Sequence, residues 1–155
     1  MFSVAFLIKH SQQFVTFLLP CSNNQCIAPD LDYTLIREFR FSKSLHWMYL
    51  TDKPLSTLAF LRLAPNSKCL SLSGCKNLVH DNFFILGSLE ALQKLFVSFT
   101  AVTAETLFQI VRNKYITVLD VYGVHLSVAA CNSILNSVQN IKSLSISLDS
   151  DILEP

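Results

Sequence analysis

Apolar residues recur along this chain at one long interval. The recurring unit is an apolar residue, a second one two positions later and a small or apolar residue three positions after that, as in Leu70-x-Leu72-x-x-Cys75. The unit fits five times, with starts at Leu45, Leu70, Leu95, Leu119 and Leu144. The steps between these starts are 25, 25, 24 and 25 residues. So regular a period predicts a repeated supersecondary unit.

Each unit predicts a short strand, a turn and a helix. Apolar residues at the first and third positions are typical of a strand with one buried face. The positions that follow carry apolar residues at helical spacing: Phe83, Leu86 and Leu89; Leu107, Ile110 and Val111; Ala130, Ile134 and Val138. Thr103 stands where a side-chain hydroxyl can accept an amide proton and open a helix.

The expected fold class is α/β, because a single unit of this kind cannot bury its own apolar face and must stack on its neighbours. A step of 24–25 residues lies in the range of leucine-rich repeats. The prediction is a leucine-rich-repeat solenoid of about five strand-turn-helix repeats over residues 42–155, with a curved parallel sheet on its concave side. Residues 1–41 are expected to be a poorly defined segment with one short helix, suggested by Leu31, Leu35 and Phe39.

The second and fourth positions of each unit are expected to line the concave face, since alternate strand residues point to opposite faces. The second positions are His46, Ser71, Phe96, Asp120 and Ser145, and the fourth are Met48, Ser73, Ser98, Tyr122 and Ser147. Aromatic residues are common anchors at interfaces. The candidate partner-binding residues are therefore His46, Met48, Phe96, Ser98, Asp120 and Tyr122. The alternative is that Phe96 and Tyr122 only shield the sheet.

Three lysines, Lys68, Lys94 and Lys142, precede the starts of their units by one or two residues. A row of cations at one edge of a sheet is a candidate contact for an acidic or phosphorylated peptide. The alternative is that the three are ordinary solvated surface charges.

Composition narrows the classes of function. The net charge is +1, which gives no electrostatic footprint for nucleic acid or an anionic membrane. With 51% hydrophobic and 15% charged residues the chain is too apolar to be disordered. The apolar runs at Phe2–Ile8 and Phe14–Leu19 are too short to span a bilayer and do not favour a signal peptide. Five scattered cysteines indicate reduced thiols, hence the cytoplasm or nucleus.

Cys69, Cys75, His80 and Asp81 fall close together in sequence, and this cluster raises the question of a chemical site. Zinc needs paired ligand spacings that the chain does not offer, so no metal and no other cofactor is expected. A cysteine nucleophile needs a lowered pKa, whereas Cys75 is expected to be a buried residue that bonds the turn. The chain has only three glycines and no glycine-rich phosphate loop. We therefore do not expect an enzyme.

Repeats of this length with cysteine in this position resemble those of the F-box/leucine-rich-repeat proteins. Leu70-Ser-Leu-Ser-Gly-Cys75, followed by Leu78 and Asp81, is similar to the usual opening of their repeats. Further segments resemble the C-terminal repeats of a cell-cycle member of the family; they are His80-Asp-Asn-Phe-Phe84, Leu92-Gln-Lys-Leu95, Ala104-Glu-Thr-Leu107 and Val118-Leu-Asp-Val-Tyr-Gly123. The resemblance extends from Leu55 to Ser147.

The resemblance implies a non-catalytic protein-protein interaction module that recognises substrates for an SCF-type (cullin-RING) ubiquitin ligase in ubiquitin-dependent proteolysis. A possibly phosphorylated protein substrate would be the partner, and a Skp-type adaptor and cullin would join only where an F-box is supplied. The sequence departs from the family because it shows no convincing F-box and no long C-terminal tail, as expected of a fragment or short isoform. The alternative is a stand-alone repeat scaffold with no ligase.

Overall fold

A computed structural model describes residues 14–16, by their backbone alone, and residues 46–147. Its central feature is a parallel sheet of six short strands in sequence order. The strands are β1 (Phe14–Thr16), β2 (Trp47–Tyr49), β3 (Cys69–Ser71), β4 (Lys94–Phe96), β5 (Val118–Val121) and β6 (Ser143–Ile146). The expected α/β class and parallel sheet are confirmed. The sheet starts ahead of residue 42, since β1 pairs with β2.

The strand register corrects the first unit of the sequence pattern. Met48, Leu70, Leu95, Leu119 and Leu144 pair across the sheet in that order. The first step is therefore 22 residues, and Met48 takes the place predicted for Leu45. Met48 and Leu50 match the first two positions as Leu45 and Trp47 do, but the third position becomes Lys53 in place of Leu50, so the pattern alone favours Leu45. Because the two starts differ by three residues, an odd number, they place opposite faces of the strand in the core.

Helical segments connect the strands on one face of the sheet. Two are 3₁₀ helices, η1 (Ala59–Leu63) and η2 (His80–Ser88), and two are α-helices, α1 (Ala104–Val111) and α2 (Val128–Ser137). The predicted cap of α1 is confirmed, since the Thr103 hydroxyl accepts a hydrogen bond from the Thr106 amide. Ser127 caps α2 in the same way through the Ala130 amide. The short helix predicted from Leu31, Leu35 and Phe39 lies outside the described residues.

The core lies between the sheet and these helices. The first and third residues of the apolar pattern, such as Leu70 and Leu72, are fully or nearly fully buried from β2 to β5. They form one cluster with the inner residues of the helices. Burial of this continuous apolar surface is the main source of stability. Within residues 46–147, no helix is long and apolar enough to cross a membrane.

Candidate functional site

The second face of the sheet, which we call the open face, carries the residues that alternate with the core positions. On the strands these residues are Tyr49, Ser71, Phe96, Asp120 and Ser145. The next position on the same face, just past each strand, holds Thr51, Ser73, Ser98, Tyr122 and Ser147. The open face therefore combines small hydroxyl side chains with three aromatic rings.

Four of the six candidate partner-binding residues lie on the open face. Phe96 and Asp120 are partly exposed, Tyr122 is exposed and Ser98 is buried beneath its neighbours. Of the other two candidates, the prediction for Met48 is wrong and that for His46 stays a prediction. Met48 is fully buried in the core, so it cannot contact a partner. His46 precedes β2 and its carbonyl accepts hydrogen bonds from the amides of Lys68 and Cys69.

An open groove of about 670 Å³ crosses the sheet where the strands end. Its lining residues come from every strand between β2 and β6, and they include Thr51, Asp52, Ser73, Gly74, Lys76, Ser98, Phe99, Asp120, Tyr122 and Ser145. Three of the predicted residues, Ser98, Asp120 and Tyr122, meet in this groove. The groove is an accessible depression on the open face, which is the kind of surface that can receive another molecule.

The rim of the groove is a row of residues with left-handed backbone. Asp52, Gly74, Phe99 and Gly123 occupy equivalent positions after their strands and all have φ between 55° and 73°. The amides of the first three donate hydrogen bonds to the carbonyls of Ser73, Ser98 and Tyr122 on the next strand. Each of these donors lies three residues past the end of its strand, so the interstrand hydrogen bonds continue beyond the sheet.

Phe99 is the outlier in this row. Left-handed backbone suits glycine and, to a lesser degree, aspartate, whereas a bulky side chain adopts it only at a cost of about 1–2 kcal/mol. The Phe99 side chain is 56% exposed and packs edge-on against Tyr122, with ring centroids 5.5 Å apart. A Cβ atom at Gly123 would overlap the Phe99 ring, so the glycine provides the space for it.

Two polar side chains of the groove, Asp120 and Ser98, differ in their hydrogen bonding. Asp120 accepts a hydrogen bond from the Tyr122 amide at 3.1 Å through one carboxylate oxygen. The Ser98 hydroxyl is buried and has no hydrogen-bond partner in the described structure. Buried hydroxyl groups are normally paired, because an unpaired one forfeits its hydrogen bonds to water. Ser98 is therefore a groove residue whose buried hydroxyl group is left without a hydrogen bond.

The cysteine cluster has a structural role. Cys75 is fully buried and its thiol donates a hydrogen bond to the Leu50 carbonyl at 3.0 Å, as predicted for a residue that bonds the turn. Burial raises the pKa of the Cys75 thiol to about 11. Burial also raises the pKa of Cys69, despite its contact with Tyr49 and the nearby Lys94 charge. Raised pKa values keep both thiols protonated and unreactive near neutral pH.

The three candidate lysines lie along one end of the sheet, and their contact with an acidic peptide stays a prediction. Lys68, Lys94 and Lys142 are all exposed at the end of the sheet opposite the groove. Lys94 is the first residue of β4, whereas Lys68 and Lys142 precede β3 and β6 by one residue. Because adjacent strands lie about 4.8 Å apart, the strands that follow Lys68 and Lys142 are separated by about 14 Å.

The sequence pattern missed several groove residues, among them Thr51, Asp52 and Phe99. Thr51 was missed because the first unit was placed three residues too early, whereas Asp52 and Phe99 occupy the fifth position of their units, which the alternation of strand faces does not assign to the concave side. A signal for the correct register was present in the turn. Asp52 stands 22 residues before Gly74, and aspartate and glycine both tolerate left-handed backbone. Phe99 gave no such signal, since phenylalanine is not a residue that favours this conformation.

Comparisons with known proteins bear on the fold alone. No protein-family model and no curated protein matches the sequence. Among solved structures the chain is similar to one described as "Leiomodin-1 Actin-Binding Site 2 (ABS2)", with a TM-score of 0.59 and 12% sequence identity. The similarity covers 80% of this chain and 83% of that one. At this identity it supports the arrangement of strands and helices and carries nothing about binding.

Proposed function

We propose that this chain is a non-catalytic binding module built as a leucine-rich-repeat solenoid, with the open face as its concave, partner-binding surface. Steps of 22, 25, 24 and 25 residues between paired strands support the repeat assignment. So does the Cys75 hydrogen bond to the preceding unit, because it occupies the position that cysteine takes in the resembled repeats.

The groove is the observation that carries the binding function. It brings an exposed aromatic pair, a carboxylate and an unpaired buried hydroxyl into one concave surface. Exposed aromatic residues in a concave setting are typical anchors for a protein partner. Raised thiol pKa values leave the cysteines poorly suited to nucleophilic catalysis, which favours binding over chemistry.

The resemblance to F-box/leucine-rich-repeat proteins extends the proposal to substrate recognition for an SCF-type ubiquitin ligase. In this role the groove would receive a protein substrate, possibly phosphorylated. A Skp-type adaptor and a cullin would be recruited only through an F-box. The alternative is a repeat scaffold that binds its partner outside any ligase.

Co-purification separates these roles. The chain would be expressed in cells with an affinity tag, alongside a groove variant, Tyr122→Ser, and a matched variant of an exposed apolar residue on α2, Leu135→Ser. We expect partners that are captured by the original chain and by Leu135→Ser but lost with Tyr122→Ser. Recovery of the Skp-type adaptor and cullin supports the ligase role. Other groove-dependent partners without them support the scaffold, and equal capture by both variants contradicts the proposed binding surface.

A further inference from the structure

We propose that the groove binds an extended peptide through a lysine or arginine side chain of that peptide. The basic side chain is placed at the β5 end of the groove, against the Asp120 carboxylate and the ring of Tyr122. This inference rests on the proposed function, and it names the chemistry of the partner that the open face receives.

The distribution of charge within the groove favours a basic group at this end. Asp52 and Lys76 line the groove where β2 and β3 end, so their opposite charges offset each other there. Asp120 lies two strands further on, about 10 Å away across the sheet. Within residues 46–147, Asp120 has no cation within ion-pairing distance, and its hydrogen bond to the Tyr122 amide occupies one oxygen. Its second oxygen is available to an incoming ammonium or guanidinium group.

The aromatic pair strengthens the preference for a cation. Phe99 and Tyr122 meet edge to face at an interplanar angle of 75° beside Asp120. The faces of aromatic rings carry negative electrostatic potential, so they attract lysine and arginine. The methylene groups of the same side chain are suited to cover the exposed part of the Phe99 ring. An acidic side chain would gain none of these contacts and would meet the Asp120 charge.

Ser98 supplies the contact for the peptide backbone. Ser98 lines the groove, and its hydroxyl oxygen is closed to solvent and lacks a partner, so a peptide pairs with it once the side chain rotates toward the groove. Every peptide unit of an extended chain offers a carbonyl and, except at proline, an amide, and a serine hydroxyl can pair with either. Binding a peptide would therefore remove the desolvation cost that the free protein carries at Ser98.

The dimensions of the groove match a short extended segment. It runs across four interstrand steps from Thr51, just past β2, to Ser145 on β6. At about 4.8 Å for each step this is about 19 Å, which corresponds to five or six residues of extended chain. A peptide of that length reaches Ser98 and Asp120 together.

Selection from a randomised library of nine-residue peptides displayed on phage, with the full chain as the target, tests the inference. We expect the enriched peptides to share a lysine or arginine. The best of them would then be synthesised with a fluorescent label and titrated by anisotropy. Replacing its shared basic residue with methionine is expected to raise Kd about tenfold or more.

Protein variants connect the selected peptide to the groove. Asp120→Asn is expected to raise Kd about tenfold, Phe99→Gly about fivefold and Ser98→Ala about threefold. Glu90→Gln removes one exposed carboxylate outside the groove and serves as the matched control, with unchanged Kd. Circular dichroism of each variant shows that the fold is retained. Because one ion pair carries much of the interaction, Kd is also expected to rise with salt.

Several outcomes would overturn the inference. They are an absence of enriched peptides, enrichment of acidic or purely apolar peptides, and equal binding to Asp120→Asn and Glu90→Gln. Acidic peptides that lose affinity when Lys94 is replaced would place binding at the opposite end of the sheet. The proposed function fails separately, when cellular partners are captured equally by Tyr122→Ser and Leu135→Ser. If partners depend on the groove but the selected peptides show no preference for basic residues, the proposed function is supported and the inference is contradicted.

Discussion

Phe99 combines a strained backbone with an exposed position in the groove. Its left-handed backbone occupies a position where two of the four equivalent residues are glycine. Residues in such conformations persist where the surrounding structure holds them, and they concentrate at ligand-binding sites. Here the interstrand hydrogen bond from the Phe99 amide to Tyr122 fixes the backbone, and Gly123 leaves space for the ring.

Replacing Phe99 by glycine is expected to change the free energy of unfolding by less than about 1 kcal/mol, although a large side chain is removed. Relief of backbone strain offsets the lost ring contact and the greater flexibility of the unfolded chain. Phe96→Gly makes the same chemical change within β4, where no such relief is available, and we expect a loss of at least about 2 kcal/mol. Urea denaturation measures both values. Equal losses would show that the Phe99 backbone is not strained.

A second prediction at the scale of the residue concerns Cys75 and the pH dependence of the free energy of unfolding. The pKa of Cys75 rises from 9.0 to about 11 because of burial, so between these values the folded thiol keeps a proton that the unfolded chain has released. The free energy of unfolding should therefore fall as the pH rises through this window, by up to about 2 kcal/mol. Below pH 9 both states are protonated and the effect vanishes.

The Cys75→Ala variant provides the comparison, since it keeps every other titrating group. Denaturation under reducing conditions at several values between pH 8 and 11 would give the two pH profiles. We expect the steeper decline in the chain that retains Cys75. Parallel profiles would mean that this thiol has the same pKa in the folded and unfolded states.

At the scale of the element, the spacing of apolar residues distinguishes the two kinds of helix. The sequence predicted a helix through Phe83, Leu86 and Leu89, and the structure has a 3₁₀ helix there, η2. Those residues recur at intervals of three, which is the period of a 3₁₀ helix. In α1, Ile110 and Val111 follow Leu107 by three and four residues. Along α2 and its C-cap, the apolar residues Ala130, Ile134 and Val138 are four residues apart. Both spacings fit the 3.6 residues per turn of an α-helix.

Asn113 joins two of these elements and was not predicted. It follows α1, is buried, and donates hydrogen bonds to the carbonyls of Leu86 and Leu89 at 3.3 and 2.9 Å. The side-chain oxygen of Asn113 accepts a hydrogen bond from the Tyr115 amide at 3.0 Å. One side chain thus pairs with backbone groups in two neighbouring units. Its loss would leave buried groups without hydrogen bonds, which lowers stability.

Asn113→Ala is expected to lower the free energy of unfolding by about 1–3 kcal/mol, because it leaves carbonyl groups unpaired in a buried setting. Asn132→Ala on the exposed side of α2 is the matched control, with an expected change below about 0.5 kcal/mol. Asn113→Asp should be at least as damaging as alanine, since a carboxylate cannot donate to the two carbonyls. Urea denaturation measures the three, and a neutral Asn113→Ala would contradict the bridging role.

At the scale of the whole molecule, each strand contacts only its neighbours in the sheet, and the sheet order follows the sequence. Stability in such an arrangement is close to a sum of local contributions and nearest-neighbour contacts. A core residue flanked on both sides should therefore contribute more than its equivalent at the edge of the described sheet.

Leu95 and Leu144 test this, because they hold equivalent positions in β4 and β6. Leu95 is fully buried, whereas Leu144 is only partly buried against the core. Leu95→Ala is expected to cost about 3–5 kcal/mol and Leu144→Ala less than about 2 kcal/mol, as measured by urea denaturation. Equal costs would show that the molecule unfolds as one unit in which position along the sheet makes no difference.

The sequence by itself determined the repeating unit, the parallel order of its strands and most of the core, because burial of one strand face requires apolar residues at alternate positions. The role of Cys75 and the cap at Thr103 followed from the same local rules. Only the tertiary structure decided the register of β2, since the sequence pattern fits a unit starting at Leu45 better, whereas pairing with β3 selects Met48. It alone also placed Phe99 over Gly123 and buried the Ser98 hydroxyl, because such contacts join residues 24 or more positions apart that no local pattern relates.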